Sequence, residues 1–390
     1  MDILRLSLQH LAFHRLRSAL LVGSLAVAMA VPIAASLLLG QYDAALRARA
    51  QATPQILGPR GNRFDLVLAT LYWRTGPLEP LTWSAYEDVA SEPGVVAAPM
   101  HVGFRARGKP VVGTTPEYFE HRGLRIASGS TPLMLGEATL GAAAAAELGL
   151  GPGDQLFSDP SELYNLLRPS SLQLTIAGVF APTSGPDDAA VFVDVKTAWV
   201  LEGLYHGHQE AEAALADNPD LLLGKGDQRL SLSGALLEHN QVDPATLEDF
   251  HLHGDPGTRP LSAVLLWPET AKAATLLKAR VNAQDKWRVI VPAAVVDELL
   301  EVVLQAKRLF DSATAFLLAA TALLVGLVLT LSTRMRQSEL RTLDRIGCAA
   351  GTLPALIASE VLVILALAAV GAALLMGAAQ LLAPRLVNLL

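Results

Sequence analysis

Four histidines in two short pairs are the residues whose type and spacing best suit chemistry: His206-Gly-His208 and His251-Leu-His253. Acidic residues follow each pair, Glu210 and Glu212 after the first and Asp255 after the second. In an extended chain residues i and i+2 share a face, so each pair can present two imidazoles together. Four imidazoles supply enough nitrogen for a tetrahedral zinc-type site, with the carboxylates as alternative ligands or as partners behind them. The spacing is loose, because 42 residues separate the pairs. Solvated loop histidines are therefore the competing reading. His10, His14, His101, His121 and His239 have no partner nearby in sequence and read as structural or surface residues.

Catalytic signatures are missing. No G-x-x-x-x-G-K-[ST] occurs, and Gly224-Lys225-Gly226 lacks the hydroxyl that a nucleotide-binding loop needs for Mg²⁺. Leu230-Ser-Leu-Ser-Gly234 echoes an ABC signature only superficially. Neither G-x-S-x-G nor H-E-x-x-H is present. These absences point to a chain that is not itself an enzyme.

The elements that must position the histidines are set by three uncharged apolar runs, Ser18–Tyr42, Ser312–Thr333 and Val361–Pro384, each of 22 to 25 residues. At about 1.5 Å per helical residue, each can cross a hydrocarbon core of roughly 30 Å. The expected layout is a cytoplasmic interfacial helix in 1–17, spans at 18–42, 311–333 and 354–384, a cytoplasmic loop at 334–353 and a tail at 385–390. The 268 residues from Asp43 to Phe310 form one extramembrane body. A cleaved signal peptide is the alternative for the first run, but that run exceeds the usual apolar core of a signal.

Basic residues set the orientation. Arg5, Arg15 and Arg17 precede the first run, and Arg334, Arg336, Arg341 and Arg345 follow the second. Both segments should face the cytoplasm, which places the large body outside. That body holds 22 Lys+Arg against 32 Asp+Glu, a net charge of −10 that argues against nucleic acid and mildly favours cations. The only cysteine, Cys348, falls in the cytoplasmic loop and reads as a small packing residue, so the body must be held by its own core.

Within the body, Val95–Ala98, Leu174–Phe180, Ala190–Val195, Ala263–Trp267 and Trp287–Val291 read as strands, separated by Gly and Pro. Ser84–Ala90, with Thr82 as cap, Leu140–Leu148, closed by Gly149, and Glu269–Gln284 read as helices. Residues 202–262 look like an inserted, His-rich lobe. From Pro292 to Thr333 no Gly or Pro occurs before Gly326, which predicts one helix whose outer part, 292–310, projects as a stalk. On it Val295, Leu299, Val302, Ala306, Leu309, Ala313 and Phe316 recur in alternating steps of four and three, a heptad seam. A helix that simply packs on its own domain is the alternative. Small residues in the spans (Gly23, Ala26, Ala30 and Ala34; Ala369, Ala373 and Gly377) allow close helix approach, and the lack of polar residues disfavours a hydrophilic channel.

After the second run stands Arg336-Gln-Ser-Glu339-Leu340-Arg341-Thr-Leu-Asp-Arg345-Ile-Gly347, with Glu360 opening the third. A carboxylate at mid-membrane costs about 2.5–3.5 kcal/mol on insertion scales. Glu360 should therefore sit at the cytoplasmic boundary, bonded to Arg or backbone. This stretch resembles the cytoplasmic loop of FtsX-like ABC transporter permeases of the MacB type, matching at Glu339, Arg345, Gly347 and Glu360, while Leu340-Arg341 stands where the family has Ile-Gly. Three further segments resemble family motifs: Val111-Val-Gly113-Thr-Thr-Pro116-Glu-Tyr118-Phe; Ala146-Glu-Leu148-Gly149-Leu-Gly-Pro-Gly153-Asp154; and Leu174-Thr-Ile-Ala-Gly178-Val-Phe with Val191-Phe-Val193.

The resemblance implies a homodimeric permease in the bacterial inner membrane, without nucleotide of its own, that works with a cytoplasmic ABC ATPase carrying the ATP. It implies that Glu339, Leu340, Arg341, Arg345, Gly347 and Glu360 belong to the ATPase-coupling region, and that stalk and exterior domain move with ATP turnover. A periplasmic protein partner is a further expectation. The family usually has a fourth span, whereas this chain ends after the third, so that span is either absent or lost by truncation. The His-rich segments, with Asp65-Leu-Val-Leu-Ala-Thr-Leu-Tyr72, resemble a permease subgroup that accompanies zinc-regulated gene clusters, which adds Zn²⁺ as a candidate ligand. The expected fold is thus an α-helical transmembrane bundle carrying a large mixed α/β extracytoplasmic domain on helical stalks. A membrane receptor with an external sensing domain is the rival function, weakened by how little chain remains inside for output.

Overall fold

The computed structural model describes residues 2–74, 78–159, 171–207, 222–225, 230–232, 242, 250–252, 255–335 and 351–387. They divide into two units, one formed by Met1–Ala44 with Leu300–Leu390 and the other by Ala45–Leu299.

The first unit is helical. It holds Asp2–Phe13, most of Arg15–Gln51, most of Pro292–Met335, and Thr352–Val387. Among the described residues, two helical stretches are long and apolar enough to cross a membrane, Arg15–Gln51 and Pro354–Gln380. In the region of the expected second span the apolar stretch described is Asp311–Leu323, inside one unbroken helix from Pro292 to Met335. Large apolar side chains such as Leu20, Val31, Phe316, Leu327 and Leu374 are exposed on these helices, as lipid-facing positions are. Small residues lie where the helices pack: Ala26 and Ala30 are buried, as are Ala368 and Ala372.

The second unit is built on a ten-stranded mixed sheet. Its strands run across the sheet in the order Trp287–Ile290, Gln55–Pro59, Ala263–Pro268, Val95–Ala106, Lys109–Thr114, Val191–Asp194, Glu137–Leu140, Gln173–Phe180 and Ile126–Gly129; Gln155–Phe157 also pairs with Gln173–Phe180. Pairing is antiparallel except between Lys109–Thr114 and Val191–Asp194, and between Glu137–Leu140 and Gln173–Phe180. In Gln173–Phe180, Leu174 and Ile176 face one core cluster, and a register shift against Glu137–Leu140 then puts Val179 on that face and Phe180 on the other, against Phe119 and Phe192. One core cluster gathers Leu57, Val89, Trp199, Val264, Leu266 and Val289; a second gathers Val111, Leu140, Leu156, Ile176, Val191 and Val193.

The expected strands are present, and Val95–Ala98 proves to be the start of the longer Val95–Ala106. The expected helix Leu140–Leu148 begins two residues later, at Ala142, because Leu140 closes a strand and Gly141 turns the chain. Gly149 ends it in the left-handed conformation, φ 67°. Thr82 occupies the cap position of Trp83–Ala90 but makes no side-chain cap bond, whereas Thr270 does cap Ala271–Asn282 through Ala273 N.

Two family-like glycines are required by close approach. A Cβ on Gly113 would lie 2.4 Å from the Ala198 side chain, and one on Gly178 would lie 2.2 Å from Ser130 O.

Candidate functional site

The most heavily buried charges of the second unit lie where the helix Arg15–Gln51 ends. Its last turns, Ala-Ala-Leu-Arg-Ala-Arg-Ala-Gln, are strong helix formers. Residues 45–51 belong to the second unit, and Leu46 and Ala50 are buried there. Arg49 grips Asp187 with both nitrogens of its fork, Nη1 to Oδ2 at 2.6 Å and Nη2 to Oδ1 at 2.8 Å. The two side chains are 9% and 6% exposed, so this is an interior ion pair. Tyr118 Oη donates to Asp187 Oδ1 at 2.6 Å, Arg49 Nε donates to Leu71 O, and the Trp73 ring lies 5.4 Å from the guanidinium carbon. Arg122 Nη1 donates to Arg49 O at 3.3 Å.

Electrostatics follow from this packing. Burial alone would lift the Asp187 carboxyl, but Arg49, Arg122 and the Tyr118 hydroxyl outweigh it and hold the group below its ordinary range. Burial would likewise favour the neutral form of Arg49, yet Asp187 and Tyr118 fix it in the charged state. Burial and the neighbouring Asp187 push the Tyr118 hydroxyl up. The cluster is thus a carboxylate, a guanidinium and a neutral phenol, all mutually satisfied.

The helix Pro292–Met335 starts in the same unit. Val295 and Val296 are buried, and Leu299 is half-buried. Asp297 pairs with Arg47, and Glu298 accepts from Arg63 Nη2 at 2.6 Å. Tyr72 Oη donates to Leu46 O at 2.7 Å. The two ion pairs are well exposed and stabilise little on their own. Apolar burial and the Arg49–Asp187 pair therefore hold residues 45–51 and 292–299 within this unit.

Of the expected stalk seam, Val295 is inside the domain core, Leu309, Ala313 and Phe316 are exposed, and the side chains of Val302 and Ala306 lie outside the described residues. Glu339, Leu340, Arg341, Arg345, Gly347 and Cys348 also lie outside the described residues. Glu360 is described: its Oε1 is 3.1 Å from His10 Nδ1, and one turn along the same contact Ser7 and Ser359 share a hydroxyl bond. His10 is a partner for Glu360 that sequence neighbourhood does not reveal.

Of the two histidine pairs, His208 and His253 lie outside the described residues. His206 and His251 are placed by the backbone at one register position, directly opposite each other in the antiparallel pair Tyr205–Gly207 with Phe250–Leu252. Among the described residues no group of three or more His, Cys, Asp or Glu is gathered for a metal ion.

The Arg49–Asp187–Tyr118 cluster is absent from the sequence-based expectations. Its members are 69 to 138 residues apart, and only Tyr118 falls in a recognised motif.

The family described as MacB-like periplasmic core domain matches residues 18–220. Among solved structures, the periplasmic region of MacB from Actinobacillus actinomycetemcomitans is 10% identical with a TM-score of 0.32, covering 64% of this chain and 95% of that one. The extracellular domain of the noncanonic ABC-type transporter YknZ from Gram-positive bacteria is 12% identical with a TM-score of 0.31, covering 60% and 99%. A domain of a putative permease protein from Porphyromonas gingivalis is 13% identical with a TM-score of 0.24, covering 55% and 87%. No curated protein matches the chain. The sequence match takes in more than half of the 390 residues, and the chain belongs to the MacB-like periplasmic core domain family of MacB/FtsX-type permeases.

Proposed function

We propose that this chain is the transmembrane subunit of an ABC transporter that passes motion from a separate cytoplasmic ATPase to its extracytoplasmic domain. The observation that supports it most is the rooting of two long helices in one domain: Arg49 of the first is locked to Asp187, and Val295 and Val296 of the second are buried in the core. Displacement of residues 45–51 or 292–299 would then be felt by the ten-stranded sheet. In this reading the chain spans the membrane three times with its N-terminus inside, works as a homodimer, and receives the ATPase at Glu339, Leu340, Arg341, Arg345 and Gly347, with Glu360 beside them. Co-purification from membranes should recover a nucleotide-binding subunit. Replacing Glu339 and Arg341 with Ala in the assembled complex should remove most of the coupled ATPase stimulation while the thermal melt of the complex stays unchanged. A chain that purifies alone and stimulates no ATPase is a receptor instead.

The register of His206 opposite His251 favours a second role for the lobe, binding a zinc-type cation in metal handling. Directly opposed residues in an antiparallel pair have Cβ atoms roughly 4.5–5.5 Å apart. In this reading His206, His208, His251 and His253 together supply the nitrogen ligands. Zinc titration of the full chain in lipid nanodiscs should show a site with a Kd below about 1 μM that His206→Ala with His251→Ala weakens at least a hundredfold. Equal affinity in the double variant eliminates the metal role and leaves the transport reading standing.

A further inference from the structure

A cavity in the extracytoplasmic domain has the make-up of a ligand site. The strand Val95–Ala106 carries a bulge between Val102 and Phe104, with Gly103 at φ 133°. The bulge is held open: Val102 N donates to Ser262 Oγ at 3.0 Å, and Ser262 Oγ donates to Val102 O at 3.1 Å. Bulges of this kind commonly sit beside binding sites. Here the bulge borders a cavity of about 210 Å³ whose walls include Trp73, His101, Phe104, Val111, Glu202 and Leu261.

Two of these side chains carry buried polar atoms that their packing leaves unpaired. Trp73 and His101 are 7% and 6% exposed, and Trp73 Nε1 and His101 Nδ1 have no hydrogen-bond partner among the described residues. Interior polar atoms are nearly always paired, so two orphans on one cavity wall call for a missing partner. Trp73 also ends the helix Arg63–Tyr72 as its C-cap in the left-handed region, φ 56°, which costs a bulky residue some strain. His101 Nε2 lies 3.0 Å from Glu202 Oε2 without forming a hydrogen bond to it, and a neutral imidazole keeps one of its two nitrogens as an acceptor. The wall therefore offers one donor, the indole N–H, and one acceptor, the imidazole nitrogen.

Size and charge narrow the occupant. A dry cavity of about 150 Å³ takes benzene, and drug-sized ligands occupy roughly 300–1,000 Å³. At about 210 Å³ the space suits a single ring or a short chain. Arg74 and Glu202 on the lining are opposite in sign, which favours no net charge on the guest. We propose that this cavity binds a small net-neutral organic molecule with an apolar ring or short chain and an amide-like head that both donates and accepts a hydrogen bond.

Benzamide is the probe, titrated into the full chain in lipid nanodiscs by saturation-transfer NMR. Saturable binding is expected with a Kd on the order of 1 mM or tighter, and benzoate and benzylammonium should bind at least tenfold more weakly. His101→Phe should weaken benzamide at least tenfold without lowering the melting temperature, because it removes an orphaned polar atom and keeps a ring. Trp73→Phe should weaken it similarly. No saturable binding, no preference for benzamide over its two charged relatives, or unchanged affinity in His101→Phe would each overturn the proposal. Should His101→Phe fail to fold, the ranking of the three probes on the unaltered chain decides alone.

Discussion

Arg49→Ala should cost the extracytoplasmic domain about 3–5 kcal/mol, seen as a melting midpoint lowered by roughly 10 °C for the full chain in nanodiscs. The size of the effect comes from what is left behind. Removing the guanidinium strands the Asp187 carboxylate, 6% exposed, with Tyr118 as its close remaining donor. A buried charge without its counter-ion is far worse than a missing pair. Arg49→Met combined with Asp187→Leu, which removes both charges and fills the space, should therefore recover most of the loss. A fall below about 1 kcal/mol in Arg49→Ala, or a double variant as unstable as the single, would show that the pair is no anchor. The pH dependence has a definite sign. The Asp187 carboxyl is held below its ordinary value, so its contribution is fully present above the unfolded-state value of about 3.9 and is lost as pH falls through the folded one. Asp187→Asn should thus be less stable than the parent at neutral pH. Its stability should change less than the parent's as pH falls below about 4, and parallel acid curves for the two would refute the assignment.

The anchor also shows where sequence reading stops. The apolar runs, the Arg-rich flanks and the unbroken helix after Pro292 are local signals, each contained in a few dozen residues, and so they are legible. Strands such as Gln173–Phe180 are legible for the same reason, through alternation and flanking turn residues. The order of ten strands in the sheet is not, because Trp287–Ile290 pairs with Gln55–Pro59 across most of the domain and no local rule specifies that partner. Arg49 sits in a run of Arg and Ala that looks like an ordinary solvated helix end. Only the fold brings Asp187, on the turn Pro186–Ala189, to meet it. His101 likewise has no neighbour in sequence to flag it, and its partner Glu202 closes the helix Val195–Glu202. The histidine pairs are visible by type, whereas their register is not; it depends on a strand pairing that closes a loop of more than forty residues.

A pair of glycines on one short helix separates two kinds of constraint, and the outcome should reverse what backbone angles alone suggest. Gly141 caps the N-terminus of Ala142–Leu148 at φ −66° and ψ 155°, angles any residue adopts. By chain entropy, Ala there would even help slightly. Its Cβ, however, would lie 2.1 Å from Asp187 O and 2.5 Å from Asp188 O, both backbone atoms of the turn that presents the anchoring carboxylate. The turn must move, and Gly141→Ala should cost about 3 kcal/mol. Gly149, at the other end, has φ 67° but open space where a Cβ would go. Gly149→Ala should cost only about 1–2 kcal/mol, the penalty of the left-handed conformation. Thermal melts of the two variants rank them directly, and Gly141→Ala no worse than Gly149→Ala would contradict the close approach. Because Gly141→Ala acts by shifting the Asp187 turn, it should also weaken the grip of Arg49. Its loss combined with Arg49→Ala should then fall short of the sum by at least about 0.5 kcal/mol, while Gly149→Ala combined with Arg49→Ala should add in full.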